Sequence, residues 1–146
     1  MQSLIKLFLN IFSRGFLLKI SFFVKPILKI LMYGNKYTDP IDGKKFRAFL
    51  PYGYNKIRNN VLSPSTYSLE RHRLLWLYLK NETSFFKTKL KVLHFAPESA
   101  LMNEFKKLKN LSYYTVDLNS PIADIKADIC DLPFLDNSYD FILCNH

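Results

Sequence analysis

Asp117 closes the run Leu111-Ser112-Tyr113-Tyr114-Thr115-Val116, Asp128 lies within Ala127-Asp128-Ile129, and the apolar run Leu90-Lys91-Val92-Leu93-His94-Phe95 stops at Ala96-Pro97-Glu98. These are residue types able to do chemistry. At a strand end one carboxylate can accept hydrogen bonds from both hydroxyls of a ribose, and a side chain on the next strand tip can meet the amino group of an adenine. An aspartate after a strand is also an ordinary turn residue. The two together, 19 and 30 positions beyond Glu98, favour a nucleoside pocket over two unrelated turns.

The elements around these residues must bring them to one edge. Leu90–Phe95 reads as a buried strand, and Ser99 to Lys109 as a helix, with Leu101, Met102, Phe105 and Leu108 on one stripe. Leu111–Val116 reads as a second strand, Ala127–Ile129 as a short third and Tyr139–Cys144 as a fourth. The strand-loop-helix-strand order implies an α/β fold with a parallel sheet, whose ligands bind at the carboxyl ends of the strands. Ahead of the sheet, Ser68 is a suitable N-cap, and Leu69, Leu74, Leu75, Tyr78 and Leu79 form an apolar stripe at helical spacing. Glu70, Arg71, His72 and Arg73 fall in the first turn of that helix, where a phosphate or carboxylate can be met; a solvated charged turn is the alternative.

Residues 33–67 are punctuated by Gly, Pro, Asn and Asp and read as turns and short strands. Two tetrads, Asp39-Pro40-Ile41-Asp42 and Ser63-Pro64-Ser65-Thr66, each pair polar residues at the spacing of a zinc-knuckle Cys-x2-Cys, with 20 residues between the pairs. Aspartate and neutral hydroxyls are poor zinc ligands, so the expectation is two Pro-containing turns and no metal.

Residues 1–32 hold five bases and no acid, whereas residues 112–146 hold six Asp and one Lys, so the net charge of +9 is unevenly spread. The apolar run of the first 32 residues is interrupted by Arg14, Lys19 and Lys25 and has no small-residue cleavage site after it. It is therefore neither a membrane span nor a secretory signal. Ser3, Lys6, Asn10, Arg14, Lys25 and Lys29 share one arc of a helical wheel, with Lys19 off it, so residues 1–32 are expected to form a basic amphipathic helix broken near Gly15 and Pro26. Such a helix fits an anionic membrane surface, or packs on its own domain. Nucleic acid is the poorer partner, because the bases are diluted by aliphatics. Cys130 and Cys144, in apolar strand-like surroundings, cannot staple a small secreted scaffold. A cytoplasmic protein, peripheral at the inner face of the membrane, is the expectation.

Val92-Leu93-His94-Phe95-Ala96-Pro97-Glu98, Tyr113-Tyr114-Thr115-Val116-Asp117-Leu118, Ala127-Asp128-Ile129 with Leu132-Pro133-Phe134, and Asp136 to Ile142 resemble the successive motifs of class I S-adenosylmethionine-dependent methyltransferases. More narrowly, the order is similar to a bacterial group with a zinc-knuckle-like module and a Ser-Leu-Glu-Arg-His-Arg helix before the catalytic sheet. The resemblance covers roughly residues 33–146, and its most specific pieces are Ser68–Arg73 and Leu93–Glu98. It implies a Rossmann-like methyltransferase domain over 68–146, preceded by a degenerate knuckle over 33–67 and the arm over 1–32.

By that resemblance Phe95, Ala96 and Glu98 would pass beneath the methionine part of S-adenosylmethionine, Asp117 would hold the ribose, and Asp128 with Ile129 would bracket adenine. Asn145 and His146 would face a small-molecule or glycan acceptor. His146 would be the base; a structural residue at the strand end is the alternative. The first-strand loop lacks a glycine-rich run, so contact there depends on the small Ala96. The family fold continues past a fourth strand, and the resemblance therefore implies the N-terminal part of an enzyme, truncated and without turnover by itself. A non-enzymatic basic protein that docks on a membrane or partner, with a remnant cofactor fold, is the rival reading.

Overall fold

The computed structural model describes residues 24, 26–53 and 56–145. The sequence expectations for residues 1–23, for Lys25 and for His146 lie outside the described residues. Contacts divide the chain between Tyr67 and Ser68 into two units.

In the first unit, residues 26–31 are helical and lead into strand β1 (Tyr33–Thr38), which pairs antiparallel with β2 (Lys45–Phe46). The connecting turn closes by a bond from the Gly43 amide to the Asp39 carbonyl, 2.8 Å, with Gly43 at φ 72°, a conformation that favours glycine. A second antiparallel pair, β3 (Leu50–Tyr52) and β4 (Arg58–Leu62), follows. The Phe49 amide donates to Asn60 Oδ1 at 2.6 Å, and the Phe49 ring packs on Tyr37 and Phe46. Among the described residues no helix is long and apolar enough to cross a membrane.

The second unit is a mixed α/β fold. Helix α1 (Glu70–Glu82) precedes β5 (Leu90–Phe95), α2 (Ser99–Phe105), β6 (Leu111–Asp117), β7 (Ile125–Lys126) and β8 (Phe141–Cys144). The four strands form one parallel sheet in the order β7-β6-β5-β8. Central β5 alternates between two buried faces. Leu93 and Phe95 pack with Val116 against Ile125, Ala127, Leu132, Phe134 and Tyr139. On the other face Phe105 is the hub of an aromatic cluster, stacked on Trp76 at 5.7 Å and angled against Phe85, His94 and Tyr113. Burying such rings contributes about 1.5–3 kcal/mol each.

The structure corrects the sequence reading in four places. The third strand is Ile125–Lys126 rather than Ala127–Ile129, because Asp128 Oδ1 accepts from the Cys130 amide and turns the chain away from the sheet. Helix α1 begins at Glu70, with Leu69 rather than Ser68 at the N-cap. Its buried face is His72, Trp76 and Leu79; of the expected stripe Leu69 and Leu79 are buried, whereas Leu74 and Tyr78 are exposed, because the rings of Phe86 and Phe105 take Trp76 inward instead. Cys144 ends strand β8, as expected, but Cys130 lies in a turn, and both thiols are exposed rather than held in apolar surroundings.

Candidate functional site

Parallel registry aligns the carboxyl ends of the strands. Phe95 pairs with Val116 on one side and with Cys144 on the other, and Asp117 pairs with Lys126. The residues just beyond, Ala96–Glu98, Asp117–Leu118, Ala127–Asp128 and Asn145, therefore lie along one edge of the sheet. Strand order reverses between β5 and β8, and the carboxyl end beside such a reversal is where open α/β sheets bind ligands.

The loop leaving β5 is shaped by Ala96, whose φ of 46° is left-handed, a conformation costing a non-glycine residue about 1–2 kcal/mol. Its amide donates to the Val116 carbonyl at 2.9 Å, so the strained residue is anchored to β6 before the chain turns into α2. Glu98 follows as the N-cap of α2.

Around Glu98 the structure gathers residues from four elements. Its Oε2 lies 3.2 Å from His94 Nε2, at the end of β5, and its Oε1 lies 3.5 Å from His72 Nε2, in the first turn of α1. Arg71 Nε stands 4.0 Å from Oε1, on an exposed side chain. His94 Nδ1 is 2.7 Å from the Tyr113 hydroxyl on β6. The Leu69 amide donates to His72 Nδ1 at 3.1 Å, so Nδ1 is an acceptor and the proton of the neutral ring sits on Nε2, facing Glu98. The matching assignment for His94 has Tyr113 donating to Nδ1 and Nε2–H facing Glu98 Oε2.

Burial by itself would raise the Glu98 pKa, but the two imidazoles outweigh it and hold the carboxyl well below the usual glutamate range. Burial, with the charges of Asp124 and Glu98, pushes the Tyr113 hydroxyl well above its ordinary value. Both His Nε2 atoms and Glu98 Oε2 are buried away from other polar partners, so the Nε2–H groups facing the carboxylate at 3.5 and 3.2 Å are what join them. The His72 tautomer points a proton rather than a lone pair at this centre, which does not suit a metal ligand. Among the described residues no group of three His, Cys, Asp or Glu is arranged to hold a metal ion.

This cluster is what sequence reasoning missed. The two segments that carry the most specific resemblance, Ser68–Arg73 and Leu93–Glu98, meet in it. The carboxylate met by the first turn of α1 belongs to the chain itself.

The other sequence-derived residues are placed as follows. Asp117, half-buried, ends β6, and its Oδ1 accepts from the amides of Asn119 and Ser120 at 2.7 and 2.6 Å. Asp128 is exposed, bonds its own turn, and forms a bridge with Asp131. Ile129 is exposed in the same turn. Asn145 follows β8 directly. A further tie, unforeseen from sequence, is Asp124. Its Oδ2 accepts from both the amide and the hydroxyl of Thr115, its Oδ1 from Lys106 Nζ at 2.7 Å, and its own amide donates back to Thr115 Oγ1. This pins the start of β7 against β6.

In the first unit both Pro-containing tetrads are turns, and they converge. Asp39 Oδ1 accepts from the Ile41 amide, and its Oδ2 accepts from Thr66 Oγ1 at 2.6 Å. Ser63 Oγ accepts from the amides of Ser65 and Thr66. Asp39 and Ser63 are fully buried. Positions with metal-ligand spacing thus bond to each other, and a side-chain hydrogen bond joins the two turns.

Comparison with family models, with curated proteins and with solved structures finds no match.

Proposed function

We propose that the second unit is a Rossmann-like domain that binds the adenosyl group of S-adenosylmethionine and serves methyl transfer. The observation that carries this reading is the parallel order β7-β6-β5-β8. It aligns the carboxyl ends of β5, β6 and β8, which the β5 loop, Asp117 and Asn145 follow or close, and this supports a site at the edge where α/β sheets take nucleotides.

The residues present fit such a ligand. Asp117 spends Oδ1 on its own turn and keeps Oδ2 for a ribose hydroxyl. Left-handed Ala96, with a single methyl side chain, lets the backbone of the β5 loop approach a ligand closely. Glu98, clamped by His72 and His94, fixes where that loop ends and where α2 begins. Asp128 and Ile129 supply an exposed carboxylate and an exposed apolar surface beyond β7, suited to the edge and face of adenine. The bound cofactor supplies an activated methyl group, so the chain's task is to hold donor and acceptor in line. Asn145, directly after β8, would orient the acceptor. Free, exposed thiols at Cys130 and Cys144 suit a reducing cytoplasm.

Equilibrium dialysis of the full chain with radiolabelled S-adenosylmethionine tests this reading. Saturable binding, displaced by S-adenosylhomocysteine and not by ATP, is expected. Absence of saturable binding would overturn it in favour of a non-enzymatic protein with a remnant fold.

A further inference from the structure

The first unit carries an apolar surface that its hairpin core does not use. Val24, Ile27, Ile30, Leu31 and Tyr33 are all exposed, Ile30 by 77% and Tyr33 by 70%. Single exposed apolar residues are ordinary, but five within ten positions form a patch of the kind that marks an interaction site. Beside it lies an open cavity of about 540 Å3, lined by Lys29, Ile30 and Tyr33 from this stretch and by Lys44, Lys45 and Phe46 from the facing strand and turn.

The rim of this cavity is positive. Lys44 Nζ stands 3.0 Å from Asp42 Oδ2. Partial burial and the neighbouring Lys44 ammonium both lower the Lys29 pKa, and Asp42 offsets them only in part. Lys29 and Lys44 thus crowd beside one carboxylate, and Lys45, exposed, adds a third ammonium. Such like-charge crowding is relieved by an external anion. Aliphatic residues at the centre, a tyrosine at the border and lysines around them are the composition of an interfacial membrane contact, where apolar groups enter the headgroup layer and ammoniums meet phosphates. A nucleic-acid surface would place bases or aromatic rings where Ile27, Ile30 and Leu31 stand.

We propose that this face docks on an anionic phospholipid bilayer, with Ile27, Ile30, Leu31 and Tyr33 entering the headgroup region and Lys29, Lys44 and Lys45 contacting lipid phosphates. The proposal assigns the β1–β2 hairpin a share in membrane contact, beyond what a basic helix alone provides. It is independent of methyl transfer.

Co-sedimentation of the full chain with vesicles tests it, using phosphatidylcholine alone and phosphatidylcholine with about 30% phosphatidylserine. The chain is expected to partition onto the anionic vesicles and to be released by high salt. Lys45→Gln, a change in the hairpin and outside the basic N-terminal stretch, should weaken partitioning by about five-fold, and Lys29→Gln with Lys45→Gln by about twenty-five-fold. Ile30→Asp should abolish it. Circular dichroism and melting of each variant confirm the fold. Equal binding to neutral vesicles, no binding by wild type, or full binding by the double lysine variant would overturn the proposal. So would a dimer in lipid-free sedimentation velocity that Ile30→Asp dissolves, because the face would then belong to a second copy.

Discussion

His94 and Glu98 lie four residues apart in sequence, and their side chains meet at 3.2 Å, although no helix spans them. Left-handed Ala96 folds the chain back between the last residue pair of β5 and the first turn of α2. The carboxylate then receives His72 from α1 on its other oxygen. One side chain therefore ties the strand, the loop and two helices at the edge where ligand binding is proposed.

Glu98→Gln keeps the shape and removes the charge. The glutamine amide presents donors to imidazole nitrogens that already carry protons, and it leaves at least one buried N–H without an acceptor. A loss of about 1–3 kcal/mol is expected. Urea unfolding at neutral pH measures it, and unchanged stability would show that the cluster holds nothing together.

The depressed Glu98 pKa fixes the sign of a pH effect. A carboxyl more acidic in the folded chain stabilises fully above its ordinary value of 4.5 and loses that contribution as pH falls below it. Asp124, lowered by Lys106 and Thr115 against the opposing effect of burial, acts in the same direction. Wild-type stability should therefore fall more steeply from about pH 5 downward than that of Glu98→Gln. Parallel curves in unfolding titrations would contradict the clamp.

Much of this architecture is legible in the residues, and the exceptions have physical causes. Leu90–Phe95 alternates between two buried faces and is flanked by a polar linker and a proline loop, so both of its ends are marked. The register of the third strand depends on Asp124 gripping Thr115, a contact across a loop that periodicity does not contain. Leu74 and Tyr78 satisfy a helical stripe as well as Trp76 does, and tertiary packing on Phe86 and the distant Phe105 decides which faces inward. The His72–Glu98 contact joins positions 26 residues apart. A histidine and a glutamate four residues apart at the end of a strand also do not suggest proximity until Ala96 turns the chain. Ser68–Arg73 and Leu93–Glu98 stand out in sequence as separate motifs, without the tertiary contact that makes them one site.

Thr66→Val tests the union of the two turns in the first unit. Valine matches threonine in shape but cannot donate to the fully buried Asp39 carboxylate. A loss of about 1–3 kcal/mol is expected in urea unfolding, and EDTA should leave the wild-type midpoint unchanged. A chelator-sensitive midpoint would show that a metal, not this hydrogen bond, joins the turns.

Ala96 separates backbone strain from packing. Ala96→Gly relieves the left-handed conformation while adding freedom to the unfolded chain, so stability should change by no more than about 1 kcal/mol. Ala96→Val places a β-branched residue at positive φ and should lower stability by more than 1 kcal/mol, roughly 1–3. Thermal melts of the two variants in parallel distinguish them, and an equal effect would contradict the loop conformation.

The most direct measurement is calorimetric titration of S-adenosylmethionine into the full chain and into Asp117→Asn. Asparagine keeps an oxygen for the Asn119 and Ser120 amides, so the turn after β6 survives, but it replaces the ribose acceptor with a donor. Wild type is predicted to bind with one-to-one stoichiometry, and the variant to bind about ten- to a hundred-fold more weakly at unchanged melting temperature. Equal affinity in both chains, or heat from neither, would contradict the proposed site.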